Sequence, residues 1–257
     1  MIREIIANKA ITYEYPPDGG EIPIIDPYDG CTMGCPYCFQ LDDDKWNKQL
    51  LIKTNMPDLI RRDLRDWPKD KFIYIGSRCD PYMNIEEKYK LTRRCIIELN
   101  KLQIPIMITT KSNLDIIFRD IDILKGYTAE INVLLGLSNM NELSKVKTCS
   151  NIKSIDLTNK LHNMGIGVWA FITPVLPGIT DVDLMIESLN CEIPVYLDKL
   201  RINPNSKTGN SMLKYIKEKY PRLEETYLEI LYEDKNKYIE ELRKKWKNHP
   251  RIKFVFD

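Results

Sequence analysis

The chain has 257 residues, 43% hydrophobic and 29% charged, enough apolar material for one sizeable core, which excludes a disordered chain, a collagen-like repeat and a disulfide-stapled miniprotein. Thirty-eight Lys and Arg stand against 37 Asp and Glu, a formal charge of +1, so the chain is not built mainly to coat nucleic acid or an anionic membrane. No run approaches the ~18 apolar residues of a spanning helix, and the opening MIREIIANK has neither the apolar stretch nor the cleavage site of a signal peptide, so a cytoplasmic address without a membrane partner is expected.

In chain order, the first β-branched run is Ile22 to Asp26, followed by a helical pattern from Thr54 (TNMPDLIRRDLRDW). A second strand, Phe72 to Ser77, precedes a helix from Ile85 (IEEKYKLTRRCIIELNKL), and a third, Ile104 to Thr110, precedes one from Leu114 (LDIIFRDIDILKG). Ile131 to Ser138, a helix from Lys153, Val168 to Pro174, a helix from Asp181 and Leu200 to Asn203 complete six strands alternating with helices. Gly126 and Gly165 follow last helical turns, and Thr180-Asp181 suits an N-cap. Strand, helix and parallel strand in repetition predict an α/β domain with near-continuously apolar strands under a helical cover, most economically a barrel or partial barrel. Residues 201–257 carry fourteen Lys and Arg against nine Asp and Glu, +5 where residues 1–200 hold −4. Within them, Leu223, Tyr227, Ile230, Leu231, Tyr238, Leu242 and Trp246 space a long helix from about Arg222 to Lys247, and Ile252 to Phe256 reads as a last strand. The apolar stripe is expected to pack on the barrel, with Arg243-Lys244-Lys245 as its solvated face; the alternative is a nucleic-acid surface. There is no internal repeat and no interdomain linker, so residues 1–257 are expected to form a single domain, with a core over 22–203 and an extension over 204–257. Asp42-Asp43-Asp44 reads as a short acidic loop.

Seven cysteines make an odd count, and Cys31, Cys35 and Cys38 fall within eight residues at C-x3-C-x2-C directly after the first strand. Cys79, Cys95, Cys149 and Cys191 are scattered singly and read by default as small buried hydrophobes. Three soft ligands on one loop suit zinc or an iron–sulfur cluster, and the choice turns on a fourth ligand. Structural zinc wants a closed set of four, yet the chain has only His162 and His249 and no second C-x-x-C; a cluster with one open iron fits better, with zinc completed by a distant residue and a purely redox cluster as alternatives. Gly30 and Gly34 give the loop backbone freedom, and Tyr37 can cover one side of a cluster from water.

The C-x3-C-x2-C spacing with an aromatic residue before the last cysteine resembles the cluster loop of radical S-adenosylmethionine (radical SAM) enzymes. Asp26 to Cys31 (DPYDGC) is similar to the entry of the branch related to spore photoproduct lyase. Leu51 to Asp63, Gly76 to Tyr82 (GSRCDPY), Leu91 to Arg94, Thr109 to Ser112, Arg119 to Asp122 and Pro174 to Asp181 (PVLPGITD) follow that branch's pattern in order. The resemblance covers roughly residues 24–203. It implies a (β/α)6 partial TIM-type barrel, which the six predicted strands fit, a [4Fe–4S] cluster held by the three cysteines, and SAM chelating the fourth iron. It also implies reductive cleavage of SAM to a 5′-deoxyadenosyl radical that abstracts hydrogen from a substrate, with an electron donor such as flavodoxin or ferredoxin. The cofactors carry that chemistry and the protein supplies positioning and exclusion of water.

Sites on such barrels collect at the C-terminal strand ends. Ser77 and Asp80, after the second strand, offer a hydroxyl and a carboxylate to an ammonium, and by resemblance lie beside the methionyl amine of SAM. Lys111, ending the third strand, can by charge hold a carboxylate, and the similar Lys of the branch stands at the SAM carboxylate. Ser138 ends the fourth strand in a similar way; Val175 to Gly178 either line the adenine or form a turn. Arg201 and Asn203 alternate onto one face of the sixth strand and meet SAM or substrate, unless Arg201 serves a structural ion pair. The chain departs from spore photoproduct lyase at Phe39, where a second tyrosine is expected, and at Ser77, which takes the hydrogen donor's place; Cys79, two residues on, is an alternative donor. Asp29 and Met33 stand where relatives often carry Arg and His. A nucleic acid or nucleotide is the leading expectation for the substrate, a peptide or small metabolite the second, and a non-enzymatic zinc or redox-cluster module the third.

Overall fold

The computed structural model describes residues 1–15, 20–46, 48–112, 115–137 and 151–255. In chain order its elements are β1 (Ile2–Ile5), β2 (Thr12–Glu14), β3 (Ile22–Ile25), β4 (Tyr28–Asp29), β5 (Leu50–Lys53), α1 (Met56–Asp63), β6 (Ile73–Ile75), α2 (Ile85–Tyr89) and α3 (Leu91–Lys101). They continue with β7 (Ile106–Thr110), α4 (Ile121–Lys125), β8 (Ile131–Leu137), α5 (Asn151–Asn163), β9 (Val168–Val175), α6 (Val182–Ser188), β10 (Val195–Lys199), α7 (Lys207–Lys219), α8 (Glu224–Glu233), α9 (Lys237–Trp246) and β11 (Ile252–Phe254).

An eight-stranded sheet runs β11-β10-β9-β8-β7-β6-β3-β2. Every neighbouring pair in it is parallel except β2 on β3. Parallel strands in sequential order, joined by helices, are the repeat expected from the alternating pattern, and the α/β partial barrel follows from it. Ile75, Ile108, Val133, Ile172 and Leu197 are fully buried on the helix-covered face, each contributing about 1.5–3 kcal/mol of apolar burial. Their neighbours Tyr74, Thr109, Phe171, Thr173, Tyr196 and Asp198 take the opposite face by strand alternation and stay half-buried.

Three expectations are corrected. The sixth strand is Val195–Lys199, so Leu200 to Asn203, with Arg201, form the loop that follows it. The helix expected from Arg222 to Lys247 is two, α8 and α9, separated where Asp234 turns left-handed at φ 51° and Asn236 caps α9 by accepting from Ile239 N at 3.2 Å. The helix from Ile85 likewise breaks at Lys90, φ 49°. A second sheet, β1-β5-β4, was not anticipated; it flanks the loop between Asp29 and Leu50 on which the three clustered cysteines sit. Asp181 caps α6 as expected, accepting from Leu184 N at 3.0 Å. Ser138, Cys149, Leu114 and Phe256 lie outside the described residues.

Candidate active site

At the C-terminal ends of the strands a cavity of about 370 Å³ is lined by Cys31, Cys35, Cys38, Tyr37, Ser77, Cys79, Asp80, Lys111 and Arg201. The cluster cysteines, Tyr37, Ser77, Cys79, Asp80, Lys111 and Arg201, all expected at the site from the sequence, thus face one space. Thr173, Pro174 and Asp198 are also among its lining. Of the two readings of Val175 to Gly178 the turn is the one seen, closed by Ile179 N donating to Leu176 O at 2.9 Å; Val175 and Leu176 are buried, and Leu176 packs in a small second core with Tyr37, Leu200, Met212, Ile216 and Tyr227. Asn203 lies outside the cavity lining, accepting from Asn205 N at 2.9 Å to shape the entry into α7.

The cysteine loop is shaped by backbone that side chains resist. Gly30 sits at φ +101°, and a Cβ there would come within 2.3 Å of Gln49 O; Gly34 is at φ +67°. Burial pushes the Cys31 thiol up to about 12, reinforced by the Asp80 carboxylate, and raises Cys35 and Cys38 as well. Thiols held neutral by burial become ligands once a cation replaces their protons, since a coordinating thiol is deprotonated by the metal charge. Among the described residues no three His, Cys, Asp or Glu groups converge on one point as ligands of a single ion. A cluster asks for a different arrangement, because each thiolate takes its own iron and the ligands stand around the cluster; three cysteines ringing a shared cavity meet that requirement.

Lys111 enters the cavity from the end of β7. Its Nζ donates to Thr173 O at 2.8 Å and lies 5.2 Å above the centre of the Tyr37 ring. Gly136 on β8 makes room for it, since a Cβ there would meet Lys111 Cγ at 2.6 Å. Tyr37 is buried and its side chain hydrogen-bonds Cys35. Asp80, 7% exposed, accepts from Lys111 N at 2.6 Å, Tyr82 N at 2.9 Å and Thr110 Oγ1 at 2.8 Å. These bonds latch the loop after β6 to the end of β7, and an ammonium brought to this carboxylate would share oxygens already engaged. Ser77 Oγ donates to Glu14 Oε2 at 2.7 Å. Arg201 pairs with Asp198 and donates to Val255 O at 2.8 Å, so it ties the loop after β10 to the end of the chain while facing the cavity.

Cys79 is 2% exposed, and its Sγ donates to Tyr28 O at 3.2 Å with Asp26 Oδ1 at 3.8 Å. Asp26 Oδ2 is buried without a hydrogen-bond partner. Burial raises the Asp26 carboxyl to about 6, against the opposing pull of Lys53.

No sequence signal marks what closes the far side of the cysteine loop. Thr208, in the first turn of α7, donates its hydroxyl to Cys38 O at 3.0 Å and its N–H to Asp42 Oδ1 at 2.8 Å, while Lys207 pairs with Asp44. The acidic run is therefore the N-terminal anion of α7, stabilised by the helix dipole as well as by the direct bonds, and the Thr208 N–H is the main reason the Asp42 carboxyl lies below its ordinary value. An Asp run whose Asp42 stands 166 residues before Thr208 carries no local signal that it meets the S-K-T-G helix start. The basic run of α9 is also partly committed: Lys245 donates to Asp183 at 2.5 Å, and Arg243 lies over the Phe254 ring.

The model of the radical SAM superfamily matches residues 25–187. The chain belongs to the radical SAM superfamily. An uncharacterised protein of Methanocaldococcus jannaschii is 32% identical over 232 residues, 85% of this radical SAM chain and 84% of its own length. An uncharacterised protein of Mycobacterium tuberculosis is 23% identical over 198 residues, and there the match spans 69% of this chain but only 57% of the relative. Among solved structures, spore photoproduct lyase complexed with dinucleoside spore photoproduct superposes with a TM-score of 0.68 at 12% identity, covering 99% of this chain and 82% of the lyase. SuiB of Streptococcus suis bound to S-adenosylmethionine gives 0.50 at 16%, covering 77% of this chain and 49% of SuiB. At such identities the likeness is one of fold, and the fold is that of radical SAM enzymes. No helix among the described residues is long and apolar enough to cross a membrane.

Proposed function

We propose that this radical SAM enzyme holds a [4Fe–4S] cluster on Cys31, Cys35 and Cys38, binds SAM beside Lys111 and Ser77, and acts on a nucleic acid or nucleotide. The observation that carries the reading is the single cavity lined by all three thiols together with Lys111 at the strand ends of a radical SAM fold. When bound and reduced, the cluster with SAM supplies a 5′-deoxyadenosyl radical able to take hydrogen from carbon. The chain's own residues position and shield. Lys111, fixed by Thr173 O and Tyr37, presents an ammonium to a carboxylate; Ser77 and Glu14 present oxygens to an amine; Tyr37 and Leu176 keep water from the cluster side. Cys79 is kept as a thiol by burial, a state from which it can return a hydrogen atom to a substrate radical; Tyr37, buried next to Cys35, is its neighbour in that role. Residues 204–257 act as an extension of the same domain, with α7 seated on the cysteine loop, and a flavodoxin or ferredoxin supplies the electron. The substrate class is supported by the fold shared with spore photoproduct lyase, whose solved complex contains a dinucleoside.

The test is a reconstituted, dithionite-reduced enzyme given SAM with oligonucleotides, nucleosides or peptides in parallel. Faster 5′-deoxyadenosine formation with a nucleic acid or nucleoside is the expected outcome, and acceleration by peptides alone would overturn the substrate class. Cys31→Ala, Cys35→Ala and Cys38→Ala should each lose iron and SAM cleavage, whereas Cys95→Ala and Cys191→Ala should keep both.

A further inference from the structure

Trp169 and Phe171 on β9 share a strand face with Thr173, and Tyr196 on β10 shares one with Asp198; both Thr173 and Asp198 line the cavity. The three rings form one near-parallel stack. Tyr196 lies 5.1 Å from Trp169 at an interplanar angle of 17° and 4.9 Å from Phe171 at 15°. All three are only half-buried, unlike Ala170, Ile172 and Leu197 beside them on the helix-covered face. Lys253, paired in register with Tyr196 across β10 and β11, holds its Nζ 5.9 Å from the centre of the same ring. β11 is the end strand of the sheet. There Lys253 joins Lys244 of α9 and Lys247 at its C-terminal end along a depression of about 790 Å³, and Lys244 and Lys247 are exposed. An aromatic strip therefore runs from just below the cavity, about 7 Å along β9 from Thr173 by strand rise, to a cationic rim at the open sheet edge.

We infer that this strip is a base-stacking platform for single-stranded nucleic acid, which enters over the β11 edge with one base on the Trp169–Tyr196–Phe171 stack and its phosphates against Lys253, Lys244 and Lys247. Rings that only fill a core are sealed from solvent; these offer half-exposed π-faces next to cations, the pairing by which single strands are held without reading their sequence. A duplex keeps its bases stacked on each other and has no free base to lay on the strip. The inference rests on the nucleic-acid reading of the substrate and specifies where that substrate is gripped.

The experiment is fluorescence anisotropy of a labelled single-stranded oligonucleotide titrated with the intact chain at rising salt, against Tyr196→Leu, Tyr196→Phe, and Lys253→Glu with Lys244→Glu, each checked for folding by circular dichroism. Tyr196→Leu is expected to weaken binding by about tenfold, as loss of one stacking contact does, and Tyr196→Phe to restore most of it. The charge reversals should weaken binding and flatten its salt dependence, because fewer counterions are released. Duplex of the same length should bind more weakly than the single strand. Wild-type binding that none of these variants alters, or duplex bound as tightly as single strand, overturns the platform and leaves the nucleic-acid substrate standing. No binding of any oligonucleotide overturns both, while SAM cleavage by the same preparation would still stand for the enzyme.

Discussion

Lys111 owes its position to two residues that are not adjacent to it in sequence: Thr173, whose carbonyl accepts a hydrogen bond from its Nζ, and Gly136, whose missing side chain gives its stem room. Lys111→Ala is expected to weaken SAM binding by about 1.5–3 kcal/mol, the range for a hydrogen bond to a charged group, with iron content unchanged; isothermal titration of SAM would check it, and an unaltered dissociation constant would remove Lys111 from the site. Asp26 makes a prediction about pH. Its carboxyl is raised to about 6 from 3.8 by burial, so between about pH 4 and 6 the unfolded chain gives up a proton that the folded one keeps, and stability falls as pH rises through that window. Asp26→Asn should remove roughly 2–3 kcal/mol of that fall, at 1.36 kcal/mol for each pKa unit. Denaturant melts of both chains from pH 4 to 7 would show two parallel curves if Asp26 were not the group responsible. At this scale the three cysteines, Tyr37, Ser77, Cys79, Asp80, Lys111 and Arg201 were legible because the chemistry of a strand end is written locally. Glu14 and Asp198 were not, since each acquires its meaning only from the partner that the fold brings to it.

Among the elements, five of the six expected barrel strands stand where their β-branched runs lie, because a strand buried under helices needs continuous apolar residues and leaves that mark. The sixth slipped. Val195–Lys199 ends in Asp198-Lys199, charges that read as a loop, and its pairing with β9 shifts register between Leu197 and Lys199. The helix expected from Arg222 kept its periodicity across Asp234 and Asn236, and the break rests on a left-handed residue and an Asn cap that the apolar spacing alone outvoted. The least legible element is α7, whose sequence declares a helix with a Ser206 cap but not that it seats on the cysteine loop. Thr208→Val keeps the shape and deletes the hydroxyl bonded to Cys38 O, so a loss of about 1 kcal/mol in stability is expected, together with faster bleaching of the cluster in air. Equal melting temperatures and equal bleaching rates would mean that α7 packs on the loop without holding it. Gly209→Ala should be worse, since its Cβ would come within 2.4 Å of Asn203 O and 2.5 Å of Pro204 O.

For the molecule as a whole, a near-neutral charge hides an uneven one, with the +5 of residues 201–257 against −4 elsewhere. Part of that excess is spent internally, Lys245 on Asp183 and Lys207 on Asp44, while Lys244 and Lys247 stay exposed. The partial barrel brings the ends of non-adjacent strands together, and with them a thiol loop, a fixed lysine and two carboxylates that the sequence scatters between residues 26 and 201. The central claim is that these groups make one radical SAM site, and the most direct measurement is 5′-deoxyadenosine produced from SAM by the anaerobically reconstituted, dithionite-reduced chain, assayed with its metal content. The account predicts about four irons per chain, 5′-deoxyadenosine in step with methionine, and neither in Cys35→Ala. A folded chain that carries one tightly bound zinc after anaerobic purification, or a full complement of iron without SAM cleavage, would contradict it.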